Sequence, residues 1–262
     1  MKITDYLIMP KDDLFAMYGG KSPYYYRKGS IPVLLVAHVD TVWTREPTRA
    51  EIIDDGEIIR SNRTEGIGAD DRVGIYIVNK ILKEIDCSLL ITDGEERGGI
   101  GARAFIDDEH DLGVINCIVE FDRRGSNDAV FYDCNNQFFI NDVCREFWQL
   151  QHGSFSDISV IAPALDWAAV NLSCGYYNEH TQQEYVNIKE VDRIIEEGKK
   201  LISNYLGGGT RWIYSDDYFD DFDDELSDEE ESEESRMEMA KYVRENHLFY
   251  DAVIECKNQN EL

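Results

Sequence analysis

The chain has 262 residues, of which 43 % are hydrophobic, so it is long enough to bury the core of one large domain or two small ones. Its formal net charge of −27 argues against a protein that binds nucleic acid through a basic surface. No stretch reaches the roughly 18 apolar residues that a membrane span needs, and the amino terminus shows no signal-peptide pattern. The six cysteines are scattered without CxxC pairs, which favours buried free thiols in a cytoplasmic protein.

Apolar runs alternate along the first 209 residues with segments whose apolar residues recur at helical spacing. The predicted elements are, in chain order, a buried strand at 33–42, a hairpin at 50–62 that turns at Asp55-Gly56, a helix at 70–86, a buried strand at 88–94, a helix opening after 95, a strand at 116–122, a helix at 141–150, a strand at 166–178 and a helix at 189–209. Because strands alternate with helices, we expect an α/β fold, a three-layer sandwich with a mostly parallel mixed sheet.

The charge is unevenly distributed. Residues 214–235 hold 13 acidic residues and no Lys or Arg, whereas the other 240 residues hold 26 basic and 40 acidic residues, a balance of −14. Like charges repel and little apolar surface is available there, so this segment is predicted to be disordered. We therefore divide the chain into a body at 1–209, an acidic segment at 210–235 and a helical segment at 236–262.

Several imidazole and carboxylate side chains lie just beyond the predicted buried strands. In a parallel sheet the carboxyl ends of the strands meet at one edge, so these groups can converge although they are spread over 140 residues. The set contains nitrogen and oxygen donors and no cysteine, which suits zinc, cobalt or manganese. Its members are His38, Asp40, Asp70, Glu95, Glu96, Asp122 and His180.

The order of these residues resembles that of the co-catalytic dizinc peptidases, the group that includes peptidase T, carboxypeptidase G-type and aminoacylase-type enzymes. The motifs of that group are H-x-D, G-x-D-D-(K/R)-x-G, E-E-x-G-x-x-G-A, a single Asp or Glu, and a late His. They stand here as His38-Val39-Asp40, Gly68–Gly74, Glu95–Ala102, Asp122 and His180. The resemblance covers residues 30 to 207 and implies a zinc-exopeptidase-like fold.

The resemblance also implies a set of ligands for two divalent metal ions, with zinc expected and cobalt or manganese as alternatives. His38 and Asp122 would bind one ion, Glu96 and His180 would bind the other, and Asp70 would bridge both.

Two further residues take catalytic roles by resemblance. Asp40 would accept a hydrogen bond from the His38 imidazole and orient it. Glu95 would be the general base that takes a proton from a metal-activated water and passes it to the leaving amine. The peptide bond after Asp70 is often cis in this group.

Each feature also has a structural explanation when it is considered alone. Asp70 and Asp71 could cap a helix, Glu95 and Glu96 could be first-turn helix acids, and His38 could be a hydrogen-bonded core histidine. Only the complete series in the right order favours the metal site.

The sequence departs from the family pattern in one respect. Most relatives insert a lid domain between the single acid and the late His, but Asp122 and His180 are only 58 residues apart, so the chain resembles the catalytic domain without the lid. Asp157 in GSFSD resembles a Gly-x-x-Ser/Thr-Asp segment that supports the site in the group. Arg123 and Arg124 could hold a substrate carboxylate or could pair with acidic residues on the surface.

Three functional hypotheses follow. The first is a metal-dependent hydrolase that cleaves the amide bond of a peptide, an exopeptidase. The second is a non-catalytic protein on the same fold whose acidic segment sequesters a basic partner. The third is a deacylase that acts on an N-acyl amino acid.

Overall fold

The structure is a computed structural model that describes residues 1–108, 111–208 and 211–215. The helices in this part of the chain are α1 Ile3–Ile8, α2 Lys11–Tyr18, α3 Ala69–Ile81, α4 Ile100–Asp107, α5 Gln137–Val143, α6 Ile158–Leu165 and α7 Ile188–Leu201. The strands are β1 Tyr24–Arg27, β2 Ile31–His38, β3 Ile52–Asp54, β4 Ile58–Ser61, β5 Cys87–Thr92, β6 Cys117–Arg123, β7 Asp128–Val130, β8 Gln149–Gln151, β9 Ala169–Ser173, β10 Tyr176–Tyr177 and β11 Tyr185–Asn187.

A seven-stranded mixed sheet forms the centre of the body, in the order β1-β5-β2-β6-β9-β7-β8. The four strands β5, β2, β6 and β9 are mutually parallel, while β1 and β7 run antiparallel to their neighbours β5 and β9. A smaller antiparallel sheet has the order β10-β11-β4-β3. The predicted α/β class with a mostly parallel mixed sheet is confirmed.

Helices cover both faces of the large sheet, and β2 shows how its sequence produces three layers. Val33, Leu35 and Ala37 point into a core shared with α1, α3 and α7, whereas Leu34 and Val36 point into a second core shared with α4 and α6. Successive strand side chains face opposite sides, so a continuous apolar run is required when both sides are covered. The predicted three-layer sandwich is confirmed.

The predicted hairpin at 50–62 is present as β3 and β4, with Gly56 at a φ of +88° in the turn between them. The predicted helix at 141–150 is wrong in position. The helix is α5, which begins earlier because the Asn136 side chain accepts a hydrogen bond from the Phe139 N–H and caps it. Residues 149–151 instead form β8, which pairs with β7.

The chain between Asp122 and His180 belongs to the sheets and their covering helices. It contains β7, α5, β8, α6, β9 and β10, so no separate lid domain lies between these two residues. The five described cysteines are free, and all but Cys144 are buried, as expected. Among the described residues, no helix is both long and apolar enough to cross a membrane.

Trp212, beyond residue 209, is hydrogen-bonded to residues of the body. The Trp212 N–H donates to the Asn116 carbonyl at 2.8 Å, and the Trp212 carbonyl accepts from the Ala168 N–H at 2.9 Å. Residues 216–235 of the acidic segment and the helical segment predicted at 236–262 lie outside the described residues. The division of the chain into three parts stays a prediction.

Candidate metal centre

The five predicted metal ligands meet at the carboxyl edge of the parallel strands. His38 is the last residue of β2, and Asp122 lies near the end of β6, which is the neighbouring strand. Glu96 lies in the 3-10 turn that follows β5, and Asp70 lies in the first turn of α3. His180 lies in the turn between β10 and β11. The sheet topology thus brings together residues that are up to 142 positions apart in the sequence.

The first group of ligand atoms is buried and consists of His38, Asp70 and Asp122. The His38 Nε2 atom lies 3.2 Å from Asp70 Oδ1 and 3.4 Å from Asp122 Oδ1. His38 Nδ1 faces the main-chain carbonyl of Asp40 at 3.1 Å, which can only accept a hydrogen bond. The Nδ1 atom must therefore carry a hydrogen, and the Nε2 atom is the one that faces the two carboxylates.

The second group of ligand atoms consists of Asp70, Glu96 and His180 and lies closer to solvent. The His180 Nε2 atom lies 3.2 Å from Asp70 Oδ2 and 3.0 Å from Glu96 Oε1. The His180 side chain is 45 % exposed, and its backbone has a φ of +61°, a strained value for a residue other than glycine.

Asp70 belongs to both groups and offers one oxygen to each, Oδ1 towards His38 and Oδ2 towards His180. Asp70 precedes the regular part of α3, with non-helical backbone angles, and its peptide bond to Asp71 is cis, as the resemblance implies. Asp71 points away from the groups. Its side chain accepts hydrogen bonds from the His38 N–H at 3.2 Å and from the Gly74 N–H at 3.0 Å.

The side chains of Glu95 and Glu96 point in different directions, because the two residues are neighbours in the short 3-10 turn Glu95–Arg97. Glycines in the left-handed region, Gly94 at a φ of +90° and Gly98 at +89°, bound this turn. Glu96 reaches His180, whereas Glu95 Oε2 lies 3.8 Å from His38 Nε2. Glu95 therefore borders the first group without belonging to either.

Asp40 connects His38 to the Glu95 turn. Its Oδ1 atom accepts hydrogen bonds from the Gly94 N–H at 2.7 Å and from the Glu95 N–H at 3.3 Å, and it lies 3.4 Å from His38 Nδ1. The predicted contact between the Asp40 side chain and the imidazole is present, although the main-chain carbonyl of Asp40 is the nearer acceptor.

Burial and crowded charges perturb the protonation of these groups. Burial disfavours the charged form of His38, but Asp122, Asp40 and Asp70 outweigh it and raise the pKa of His38 well above its usual value. Burial and the Asp70 charge raise the pKa of Asp122 well above its usual value. Hydrogen bonds to Asp70 and Glu96 raise the pKa of His180 to about 11. Burial raises the pKa of Glu95 to about 7, with the nearby carboxylates adding to it.

The sequence analysis missed Glu184, which is almost fully buried and holds the loop that carries Asp70. Its carboxylate accepts hydrogen bonds from the N–H groups of Gly68 at 2.8 Å and Ala69 at 2.9 Å, and from the Trp43 indole N–H at 3.3 Å. The only sequence signal was its position four residues after His180.

A second set of missed residues holds Asp122. The Asn171 side chain on β9 accepts from the Asp122 N–H at 2.9 Å and donates to its carbonyl at 3.1 Å, where the β6–β9 register shifts. The Tyr176 hydroxyl donates to Asp122 Oδ1 at 3.3 Å. The Ser156 hydroxyl bonds to buried Glu120 and lies 3.3 Å from Asp122 Oδ2.

Asp157, which the sequence analysis placed in a supporting segment, is fully buried and accepts a hydrogen bond from the Thr92 hydroxyl at the end of β5. Burial raises the pKa of Asp157 to about 6. Asp157 lies at the start of α6, so it joins that helix to the strand that carries the Glu95 turn.

A cleft of about 390 Å³ opens beside the two groups. Charged side chains of both signs line it, together with three aromatic side chains. The lining residues are Asp70, Glu95, Glu96, Gly98, Asp122, Arg123, Arg124, Tyr132, Ser154, Phe155, Tyr176, Glu179 and His180.

The donor set fits two divalent cations. Around a tetrahedral zinc ion with ligand distances of about 2.0–2.1 Å, neighbouring ligand atoms lie roughly 3.3 Å apart. The contacts that join the imidazole nitrogens to the carboxylate oxygens measure 3.0–3.4 Å. His38 Nε2 is buried and has no hydrogen-bond partner among the described residues, which a metal ion would satisfy.

No protein-family model matches the sequence, and no curated protein matches it either. Solved structures do match. The aminopeptidase PepT from Bacillus cereus superposes with a TM-score of 0.52 at 15 % identity, covering 76 % of this chain and 89 % of that one. A tripeptidase from Staphylococcus aureus gives 0.51 at 15 % identity, covering 68 % and 83 %.

The TET1 peptidase from Pyrococcus horikoshii gives a TM-score of 0.51 at 10 % identity, covering 76 % of this chain and 98 % of that one. At sequence identities this low, the match establishes similarity of fold alone. The chain therefore has the fold of these peptidases, and its candidate His, Asp and Glu ligands gather in two groups that could each hold a metal ion.

Proposed function

We propose that the protein is a metal-dependent hydrolase that cleaves the amide bond of a peptide, as an exopeptidase, or of an N-acyl amino acid. One observation carries the proposal. Two ligand groups share Asp70, which turns one carboxylate oxygen to His38 and the other to His180. A carboxylate shared by two ligand groups can hold two metal ions close together, as two-metal hydrolysis requires.

The ligands of the two ions would be His38 with Asp122, His180 with Glu96, and Asp70 between them. Two divalent cations, expected to be zinc with cobalt or manganese as alternatives, would supply Lewis-acid activation of a water and of the amide carbonyl. The three ligand carboxylates carry three negative charges, so they compensate most but not all of the charge of two such ions.

We infer that Glu95 is the general base, from its position and its raised pKa. It borders the ligands without being one, and burial raises its pKa to about 7, so it can gain and lose a proton near neutral pH. Glu95 would take the proton from the attacking water and pass it to the leaving amine. Asp40 would orient His38 through Nδ1 and would hold the Glu95 turn through its N–H groups.

The test compares Glu95→Gln with the zinc-loaded wild-type protein on a panel of dipeptides, tripeptides and N-acyl amino acids. We expect the variant to keep two metal ions per chain by mass spectrometry and to lose at least ~10²-fold in kcat, because general-base catalysis contributes that much. Glu57→Gln is the matched control, since Glu57 is exposed, lies outside the cleft lining and pairs with Lys189.

Unchanged turnover in Glu95→Gln would remove Glu95 from the mechanism. A wild-type protein that binds two zinc ions and cleaves none of the panel would contradict the proposed function. The panel also separates the peptidase from the deacylase. The suggestion that the acidic segment binds a basic partner concerns residues outside the described part of the chain and stays a prediction.

A further inference from the structure

Two consecutive arginines follow Asp122 and line the cleft, and the structure gives them different environments. Arg123 is mostly buried, with 21 % of its side chain exposed, and it is held by the wall of the cleft. Its Nη2 atom donates to the His152 carbonyl at 3.3 Å, and its Nε atom faces Asp128 at 3.6 Å. Arg123 therefore stabilises the wall.

Arg124 presents its guanidinium to the mouth of the cleft. Its side chain is 56 % exposed, and its Nη1 atom donates to Glu179 Oε1 at 2.6 Å. Glu179 is the only hydrogen-bond partner of this guanidinium among the described residues, so the Nη2 and Nε donors are available to a ligand. The pair lies next to candidate ligands of both groups in the sequence, because Arg124 follows Asp122 by two residues and Glu179 directly precedes His180.

The backbone that carries Arg124 is held in place. The Ser173 hydroxyl donates to the Arg124 carbonyl at 2.8 Å, and the next residue, Gly125, exchanges hydrogen bonds with Tyr176 and Gly175 at 2.9 and 2.7 Å. A fixed backbone and a paired Nη1 atom reduce the freedom that the side chain would lose when it binds a ligand.

We propose that Arg124, oriented by Glu179, binds a carboxylate of the substrate, an inference that rests on the proposed function. The substrates are then short peptides and N-acyl amino acids whose free carboxyl group lies one or two residues from the cleaved amide. Arg124 follows the ligand Asp122 by two residues, just beyond the end of β6, and both side chains line the same cleft.

Arg124, unlike Arg123, has guanidinium donors open to a ligand, and a carboxylate is the complementary partner of a guanidinium. Apart from His180, the lining cations are the two arginines, and Arg123 is already engaged with the wall. A guanidinium binds a carboxylate with two parallel hydrogen bonds, which gives orientation as well as affinity. The cleft volume of about 390 Å³ suits a ligand the size of a short peptide.

The experiment measures the acid-to-amide ratio of kcat/KM on the zinc-loaded full chain. The substrate pairs are alanyl-alanine with alanyl-alaninamide, alanyl-alanyl-alanine with its amide, and N-acetylalanine with N-acetylalaninamide. In the wild type we expect a ratio of about 10 to 100 for at least one pair, carried mainly by KM, because a hydrogen bond to a charged group contributes that much. Arg124→Gln should bring this ratio to about 1. Arg124→Lys should give a ratio between that of the wild type and that of Arg124→Gln.

Arg60→Gln is the matched control, since Arg60 is 50 % exposed and pairs with Asp55 on the β3–β4 hairpin. It should keep the wild-type ratio. Calorimetry gives a second readout that needs no turnover. Alanine should bind the zinc-loaded wild type at least ~10-fold more tightly than alaninamide does, and Arg124→Gln should remove that difference.

The outcomes separate the inference from the proposed function. A wild-type ratio near 1, or a high ratio that survives in Arg124→Gln, overturns the role of Arg124 and leaves the hydrolase in place. If no substrate is cleaved, the hydrolase fails, and the calorimetry alone then decides whether Arg124 binds a carboxylate.

Discussion

The two ligand groups differ in what holds them, although they share Asp70. His38 and Asp122 lie on neighbouring parallel strands, and His38 is fully buried. His180 and Glu96 lie on turns, and His180 is half-buried on a strained backbone. The strands of the core therefore hold the first ligand group, with His38 and Asp122, whereas loops hold the second, with His180 and Glu96.

The largest expected difference concerns stability. In the metal-free protein, the His38 imidazole is the positively charged partner of several buried carboxylates. His38→Ala removes this partner, so we expect the free energy of unfolding to fall by about 3–5 kcal/mol. His180→Ala acts at a half-exposed site and should cost about 1 kcal/mol or less. Urea unfolding in a chelator measures both, and metal analysis should show weakened binding in each variant.

His152→Ala is the control for losing an exposed histidine, because only the main-chain carbonyl of His152 contacts Arg123. Equal losses of stability in His38→Ala and His180→Ala would contradict the distinction between a core-built group and a loop-carried group.

A smaller effect, on metal affinity, tests whether the two ligand groups share Asp70. In the wild type the Glu184 carboxylate accepts hydrogen bonds from main-chain N–H groups of the loop that carries Asp70. Glu184→Gln replaces one carboxylate oxygen by an NH₂ group, which cannot accept these bonds, so the loop should be held less firmly. We expect the affinity for both ions to fall together by about 10- to 100-fold, the usual cost of losing a residue that supports a ligand. Competition with a zinc chelator measures this, with exposed Glu196→Gln as control. A loss at one ion alone would show that Asp70 is not shared.

The smallest effect is a pH dependence. In the metal-free protein the neighbouring carboxylates raise the pKa of His38 and raise that of His180 to about 11, which favours a second proton on each ring. Zinc needs the Nε2 lone pair, so binding must release protons and the apparent affinity must rise with pH. Calorimetry in buffers of different ionisation enthalpy counts these protons, and His180→Ala should reduce the count by about one. The same count in wild type and variant would contradict this assignment.

The local patterns of the sequence predicted much of the fold. The uninterrupted apolar run of β2 indicated a strand covered on both faces, and Asp55-Gly56 indicated the hairpin turn. The helix predicted at 141–150 failed because the cap at Asn136, which moves it towards the amino terminus, is visible only as a side-chain hydrogen bond. The candidate ligands were predicted by the resemblance of the ordered motifs to those of the dizinc peptidases, because position after a buried strand gave a larger set of groups.

The residues that hold those ligands had no comparable signal. Glu184 contacts the Asp70 loop from more than a hundred positions away, and Asn171 supports Asp122 from the adjacent strand. Likewise, the two arginines were equivalent in the sequence, and only burial separated Arg123 in the wall from Arg124 at the mouth.

The sequence by itself determined the chemistry of this protein's candidate site, because residue type sets the donor atoms and short-range spacing sets the strand ends and turns that carry them. Only the tertiary structure decided how those donors divide into two groups around Asp70 and which charged residues remain open to a ligand. Burial, register and contacts across the sheet depend on segments that are distant along the chain, and no local pattern contains them.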